Sequence, residues 1–156
     1  MSRVADRRSV LVLAGGGLAL VTLRPLAARE QDPSYQEALD AIVGERTPAD
    51  GRVTLELPKI AETGNSVPLT VKVESPMTRD DHVARIHVLA MGNPRPNVAT
   101  FYLGPRAGRA EVSTRIKLSR TQQVVALAEM SDGSLWQDKA SIVVTLGACV
   151  EDIWTD

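Results

Sequence analysis

The feature that most constrains this chain is a period of two that sets in at Arg52 and recurs, broken by turns, as far as Leu146. Val53, Leu55 and Leu57 alternate with Thr54 and Glu56 before Pro58 stops the run. Val67, Leu69, Val71 and Val73 then alternate with Thr70, Lys72 and Glu74. Such alternation puts one face of each strand in a core and the other in water. Ser75-Pro76 ends the second run, and Ala84, Ile86, Val88 and Ala90 resume the pattern up to Gly92-Asn93-Pro94-Arg95-Pro96-Asn97, where the prolines exclude regular structure. Further strands are predicted at Val98 to Leu103, at Ala110 to Leu118 with Val112, Thr114, Ile116 and Leu118 inward, and at Val124 to Met130. Asp132-Gly133 turns the chain into a last strand whose alternating part runs from Ala140 to Leu146. About seven short strands with no later helix imply an all-β fold, an immunoglobulin-like antiparallel β-sandwich.

One helix precedes the strands. Asp32 is placed to cap it, Pro33 suits its first position and Gly44 lies just past its end, with Tyr35, Ala38, Leu39, Ile42 and Val43 at helical spacing between them. It reads as a short N-terminal appendage to the sandwich. Ahead of it, Arg3, Arg7 and Arg8 precede an apolar run from Val10 to Leu23, and Ala27-Ala28 offers small residues for cleavage. This is an export-signal pattern, and the Arg7-Arg8 pair resembles a twin-arginine signal. The domain organisation expected is therefore an export signal over 1–28, a helix and linker over 29–50, the sandwich over 51–146 and a C-terminal arm over 147–156. The location implied is the periplasm. The apolar run is too short and too rich in glycine for a membrane span.

Charge narrows the partners. The formal net charge is −1, and cleavage after Ala28 removes four arginines and one aspartate, leaving 14 basic and 18 acidic residues and a net charge of −4. No basic surplus points to nucleic acid.

Few residues are suited to chemistry. His82 and His87 have no second ligand at metal spacing; Asp80-Asp81-His82 reads as a solvated loop, and His87, pointing away from the Ile86 face, as a surface residue. Phosphate loops, nucleophile elbows and predictable carboxylate pairs are lacking. That leaves Cys149, the single cysteine, which follows the last strand after Gly147-Ala148 and precedes Val150-Glu151-Asp152-Ile153-Trp154-Thr155-Asp156. In an oxidising compartment it has no internal disulfide partner, so it stays free, pairs with another chain or carries an adduct. A lone cysteine is equally often a small buried apolar residue. Glu151 and Asp152 keep a thiol there at or above its ordinary pKa of about 8.5, which suits a carrier activated in another protein's site better than a catalyst.

Several longer stretches carry a family resemblance. Pro58-Lys59-Ile60-Ala61-Glu62-Thr63-Gly64-Asn65-Ser66-Val67-Pro68-Leu69-Thr70-Val71, Ser75-Pro76-Met77-Thr78, Asn93-Pro94-Arg95-Pro96-Asn97-Val98-Ala99 and Ala128-Glu129-Met130-Ser131-Asp132-Gly133 resemble the SoxY carrier subunits of the thiosulfate-oxidising Sox system. The resemblance implies no cofactor and no catalysis of its own. It implies instead a heterodimer with a SoxZ-like subunit and a covalent sulfur attachment at Cys149 on a flexible arm including Gly147, Ala148 and Val150. The enzymes it implies as visitors are a c-type haem SoxAX-like enzyme, a dimanganese SoxB-like hydrolase and a molybdenum-haem SoxCD-like enzyme. The family's arm ends Gly-Gly-Cys-Gly-Gly; here Gly147 and Cys149 match, Ala148 and Val150 replace glycines, and six more residues follow. The sequence is thus open to a working carrier with adapted partners, a divergent paralogue, a binding module that no longer cycles sulfur, or a structural immunoglobulin-like domain.

Overall fold

The computed structural model describes residues 33–148. The proposed leader, Asp32, Cys149 and Val150 lie outside the described residues. Helix α1 (Pro33–Val43) is followed by nine strands, β1 (Ala49–Asp50), β2 (Val53–Glu56), β3 (Ile60–Thr63), β4 (Val67–Val73), β5 (Val83–Ala90), β6 (Asn97–Tyr102), β7 (Ala110–Ile116), β8 (Gln122–Met130) and β9 (Leu135–Leu146). They form two sheets, one ordered β1-β9-β8-β5-β6 with β3 also on β9, the other ordered β2-β4-β7. No described helix is long and apolar enough to cross a membrane.

The alternation read from the sequence sets the core. In β2 and β4 every second residue is buried, and Val53, Leu55, Val67, Leu69, Val71 and Val73 face Ile86, Val88, Val124, Ala126 and Ile142 of the other sheet. The all-β, immunoglobulin-like sandwich expected from the sequence is thus the fold observed. Its pairing is antiparallel except at one edge, where β1 and β3 both run parallel to β9. The chain reaches that arrangement by changing sheets twice. β1 pairs at Trp136 and Gln137, β2 crosses to the small sheet, and beyond Pro58 the chain returns to pair Ile60 with Val143. Asp138 holds the crossing, its Oδ2 accepting the Leu55 N–H at 2.8 Å. β1 and β3 escape a pattern reading because they are short edge pieces with little alternation in burial.

The helix differs from the expectation. Its bounds are those the sequence gives it: Pro33 opens it, and Gly44 ends it with φ of +58° while donating its N–H to the Asp40 carbonyl at 2.8 Å. It is no appendage, however. Tyr35, Ala38, Leu39, Ile42 and Val43 pack on Leu89, Val125 and Leu127, covering the outer face of β5 and β8. Those strands are therefore buried on both sides, which accounts for the unbroken apolar run Val124-Val125-Ala126-Leu127-Ala128. Arg46 fastens the end of the helix. Its guanidinium donates to the Ile42 and Val43 carbonyls and to Glu129 Oε1 at 2.9 Å. Arg85 meets the other oxygen of Glu129 at 2.9 Å. Burial raises the Glu129 pKa, but the two guanidiniums outweigh it and hold the carboxyl below its ordinary value.

This cover corrects the placement of His87. Its side chain does point away from the Ile86 face, but the opposite face, which it shares with Leu89, carries the helix layer, and the residue is 7% exposed. Nδ1 lies 3.1 Å from Thr100 Oγ1, and the buried Nε2 has no hydrogen-bond partner. Burial lowers the pKa from 6.5, with Arg85 and then Arg46 adding to the effect and Glu129 opposing it. A histidine held neutral in the fold leaves stability unaffected above pH 6.5, where the unfolded chain is neutral too. As pH falls below that value the unfolded chain takes up the proton first, so stability is lost down to the lowered folded pKa. Urea unfolding at pH 7.5 and pH 5.5 should show a larger loss of stability in the wild type than in His87→Gln. Equal losses in the two proteins would contradict this account.

Candidate functional site at the root of the C-terminal arm

The residues before Cys149 are held by backbone hydrogen bonds among three segments distant in sequence. Gly64, just past β3, donates its N–H to the Leu146 carbonyl at 2.7 Å and accepts from the Leu118 N–H at 2.8 Å. The Leu118 carbonyl in turn accepts the Ala148 N–H at 2.9 Å. Such proximity leaves no room for side chains. A Cβ on Gly64 would run into the Leu118 carbonyl oxygen and lie 2.9 Å from the Ala148 nitrogen, and a Cβ on Gly147 would run into the Ser119 carbonyl. Both glycines serve close backbone approach.

Gly147 and Ala148, expected in a flexible arm, therefore sit against the body. Ala148 is 6% exposed and hydrogen-bonded. Physically, the β9 ladder does not release the chain at Leu146, because the loop between β7 and β8 supplies the next carbonyl. Cys149 and Val150, the other two positions assigned to the site, lie outside the described residues.

The loop that receives the arm root is itself fixed by buried amides. Asn93, 5% exposed, donates from Nδ2 to the Lys117 carbonyl at 2.9 Å, while its Oδ1 accepts from Ser119 N at 3.0 Å and Gln122 Nε2 at 2.9 Å. Gln122 Oε1 accepts the Gly92 N–H at 2.7 Å, and Ser119 Oγ donates to the Gly92 carbonyl at 2.7 Å. Thr121 prolongs the ladder past Gln122, its hydroxyl accepting the Val144 N–H at 2.9 Å and donating to the Val144 carbonyl at 3.3 Å. Sequence reasoning passed over Asn93, Ser119, Thr121 and Gln122, because only tertiary contact gives these turn-type residues their role. The one available signal was the Gly92 to Asn97 loop standing among the stretches that carry the family resemblance.

Among the described residues no group of three or more histidine, cysteine, aspartate or glutamate side chains is placed to hold a metal ion. His82 belongs to the bend before β5, with Nδ1 3.0 Å from the Thr78 carbonyl, and is remote in sequence from the segments around Ala148. An open groove of about 500 Å³ lies between β2 and β4, lined by Leu55, Leu57, Pro58, Pro68 and Leu69 among others. It is shallow, and its polar side chains are Glu56 and Thr70.

Fold and site together define a class: an immunoglobulin-like sandwich whose last strand runs into a C-terminal segment bearing the chain's single cysteine. The family model for the sulfur oxidation protein SoxY matches residues 39–149. The chain belongs to the SoxY family. Among solved structures, the sulfur carrier protein SoxY from Chlorobium limicola f thiosulfatophilum is 27% identical with a TM-score of 0.60, covering 72% of this chain and 97% of its own. A superoxide reductase (neelaredoxin) variant from Ignicoccus hospitalis is 16% identical with a TM-score of 0.55, covering 70% of this chain and 86% of its own. A putative superoxide reductase from Thermotoga maritima is 23% identical with a TM-score of 0.51, covering 63% and 87%. These last two likenesses concern the fold alone. No curated protein matches the chain.

Proposed function

We propose that this protein is a non-catalytic sulfur carrier, with Cys149 as the covalent attachment point. The observation that carries the reading is the family match, which extends through the cysteine itself, taken with an arm root held by backbone bonds one residue before it. A fixed root followed at once by the thiol makes a short tether, and a short tether keeps the reacting group at high local concentration once a partner is engaged.

Loading takes the thiol and thiosulfate to a thiosulfonate. The cysteine sulfur bonds to the outer sulfur of thiosulfate, the S–H bond breaks, one proton leaves to solvent, and two electrons pass to a c-type haem enzyme of the SoxAX kind. Water then cleaves the bond to the sulfonate sulfur in a dimanganese SoxB-like hydrolase, releasing sulfate and leaving a persulfide on Cys149. A molybdenum-haem SoxCD-like enzyme would oxidise that remaining sulfur. Every bound form is anionic, and exposed Lys117 and Arg120, on either side of the Leu118-Ser119 seat, supply compensating charge. Exposed Ile60 and Val143, paired on the β3–β9 edge, and exposed Tyr102 on β6 are apolar surface that a SoxZ-like subunit would cover. Export to the periplasm, through the leader over 1–28, completes the reading.

Blocking the thiol with iodoacetamide before the protein meets thiosulfate and the haem enzyme should stop electron transfer in a reconstituted system. Undiminished transfer from the blocked protein would overturn the proposal.

A further inference from the structure

The buried amide network beside the arm root ties the loop after β5 to the loop before β8. Its members sit between two loops, and their one shared product is a fixed Lys117 to Gln122 segment. Asn93 is the centre. Four groups of that segment bond to its single amide, namely the Lys117 carbonyl, the Ser119 N–H, the Ser119 hydroxyl and the Gln122 Nε2. The same segment presents the two carbonyls against which the arm root lies, Leu118 bonded to Ala148 and Ser119 packed on Gly147. Without the amide this segment keeps the Leu118 bond to Gly64 but loses the bonds that fix it at Lys117 and Ser119 on either side.

We infer that Asn93 is the positioning residue of the arm: its buried amide fixes the Leu118 and Ser119 carbonyls, which seat Ala148 and Gly147 and so set where the chain that bears the thiol leaves the sandwich. The inference rests on the carrier reading for its functional meaning, but the anchoring itself does not. Loss of the seat frees Gly147 and Ala148 to join the tether, which lengthens it and lowers the local concentration of its tip.

The test uses the whole mature protein, with hydrogen exchange read at the Ala148 amide and a nitroxide attached to Cys149. In Asn93→Ala the Ala148 amide should exchange roughly tenfold faster relative to the slowest core amides, and the nitroxide lines should sharpen. Val112→Ala, a truncation on β7 in the other sheet, should lower the melting temperature yet leave the nitroxide spectrum as in the wild type. Ser119→Ala, which removes the hydroxyl bonds to the Gly92 carbonyl and to Asn93 Oδ1 but leaves the Asn93 bonds to the Lys117 carbonyl, the Ser119 N–H and Gln122, should move both readouts in the same direction as Asn93→Ala by a smaller amount, and it serves if Asn93→Ala does not fold. Unchanged Ala148 protection and an unchanged nitroxide spectrum in either variant would overturn the inference, as would a spectrum that Val112→Ala sharpens equally. Failure of the carrier reading looks different: the wild-type thiol takes up no sulfur while the anchor still responds to Asn93→Ala.

Discussion

Gly64→Ala is expected to lower the free energy of unfolding by about 3 kcal/mol. The new Cβ would collide with the Leu118 carbonyl oxygen and press on the Ala148 nitrogen at 2.9 Å. Both obstacles are backbone atoms, which have no rotamer through which to withdraw. Relief requires the Gly64–Leu118 and Leu118–Ala148 hydrogen bonds to lengthen, each a contribution of about 1 kcal/mol. Gly104→Ala is the matched control, because a Cβ there meets nothing within 4 Å and the backbone is extended; it should change stability by no more than about 0.5 kcal/mol. Urea unfolding of the two variants decides the matter. A change below about 1 kcal/mol for Gly64→Ala would show that the three segments around Leu118 are less tightly joined than the geometry requires.

Cys149→Ser should abolish sulfur loading altogether while leaving the melting temperature within about 1 °C of the wild type. A hydroxyl forms no bond to sulfur of the disulfide kind, so neither thiosulfonate nor persulfide can be held. Stability should be indifferent because a carrier thiol has to reach other enzymes' sites and so takes no part in the core, and the substitution keeps the size of the side chain. A fall of several degrees would instead place the thiol in the core as a small apolar residue, and it would count against the carrier reading even if loading were also lost.

How far the sequence disclosed this fold depended on whether a neighbour along the chain or a neighbour in space decided each position. Strands β2 and β4 were legible because one face is wet, so Val53 to Glu56 and Val67 to Val73 alternate without interruption. The helix bounds were legible because Pro33 and Gly44 act locally. β5 and β8 gave up their inward residues, but the helix covering Leu89, Val125 and Leu127 was not foreseen, and His87 was placed in solvent for that reason. β1 and β3 had no signal, being short edge strands without alternation in burial. At the site, Cys149 stood out by being the single cysteine, and Gly147 by its place beside it. Gly147 nevertheless suggested freedom, whereas the Ser119 carbonyl makes it a point of contact. Glycine permits both, and only the tertiary neighbour separates them. Asn93 lay in full view in a proline-rich loop, yet its bonds to Lys117, Ser119 and Gln122 span 24 to 29 residues, beyond any local pattern.

The Arg46–Glu129–Arg85 group shows the same division. Nothing local marks these three residues, but together they close the helix end onto β8 and act electrostatically on a buried histidine. The acid sensitivity expected for His87 and the anchoring expected for Asn93 are independent, the first arising from the helix layer over β5 and β8 and the second from the amide bonds between two loops.

The central claim is that Cys149 carries sulfur, and the most direct measurement is the intact mass of the mature protein from cells supplied with thiosulfate, before and after a reductant. A mass increase equal to a thiosulfonate or one or more sulfane sulfurs, removed by the reductant and mapped to Cys149, is the result expected. An unmodified thiol, or a disulfide-linked dimer alone, in cells that contain the Sox enzymes would contradict it.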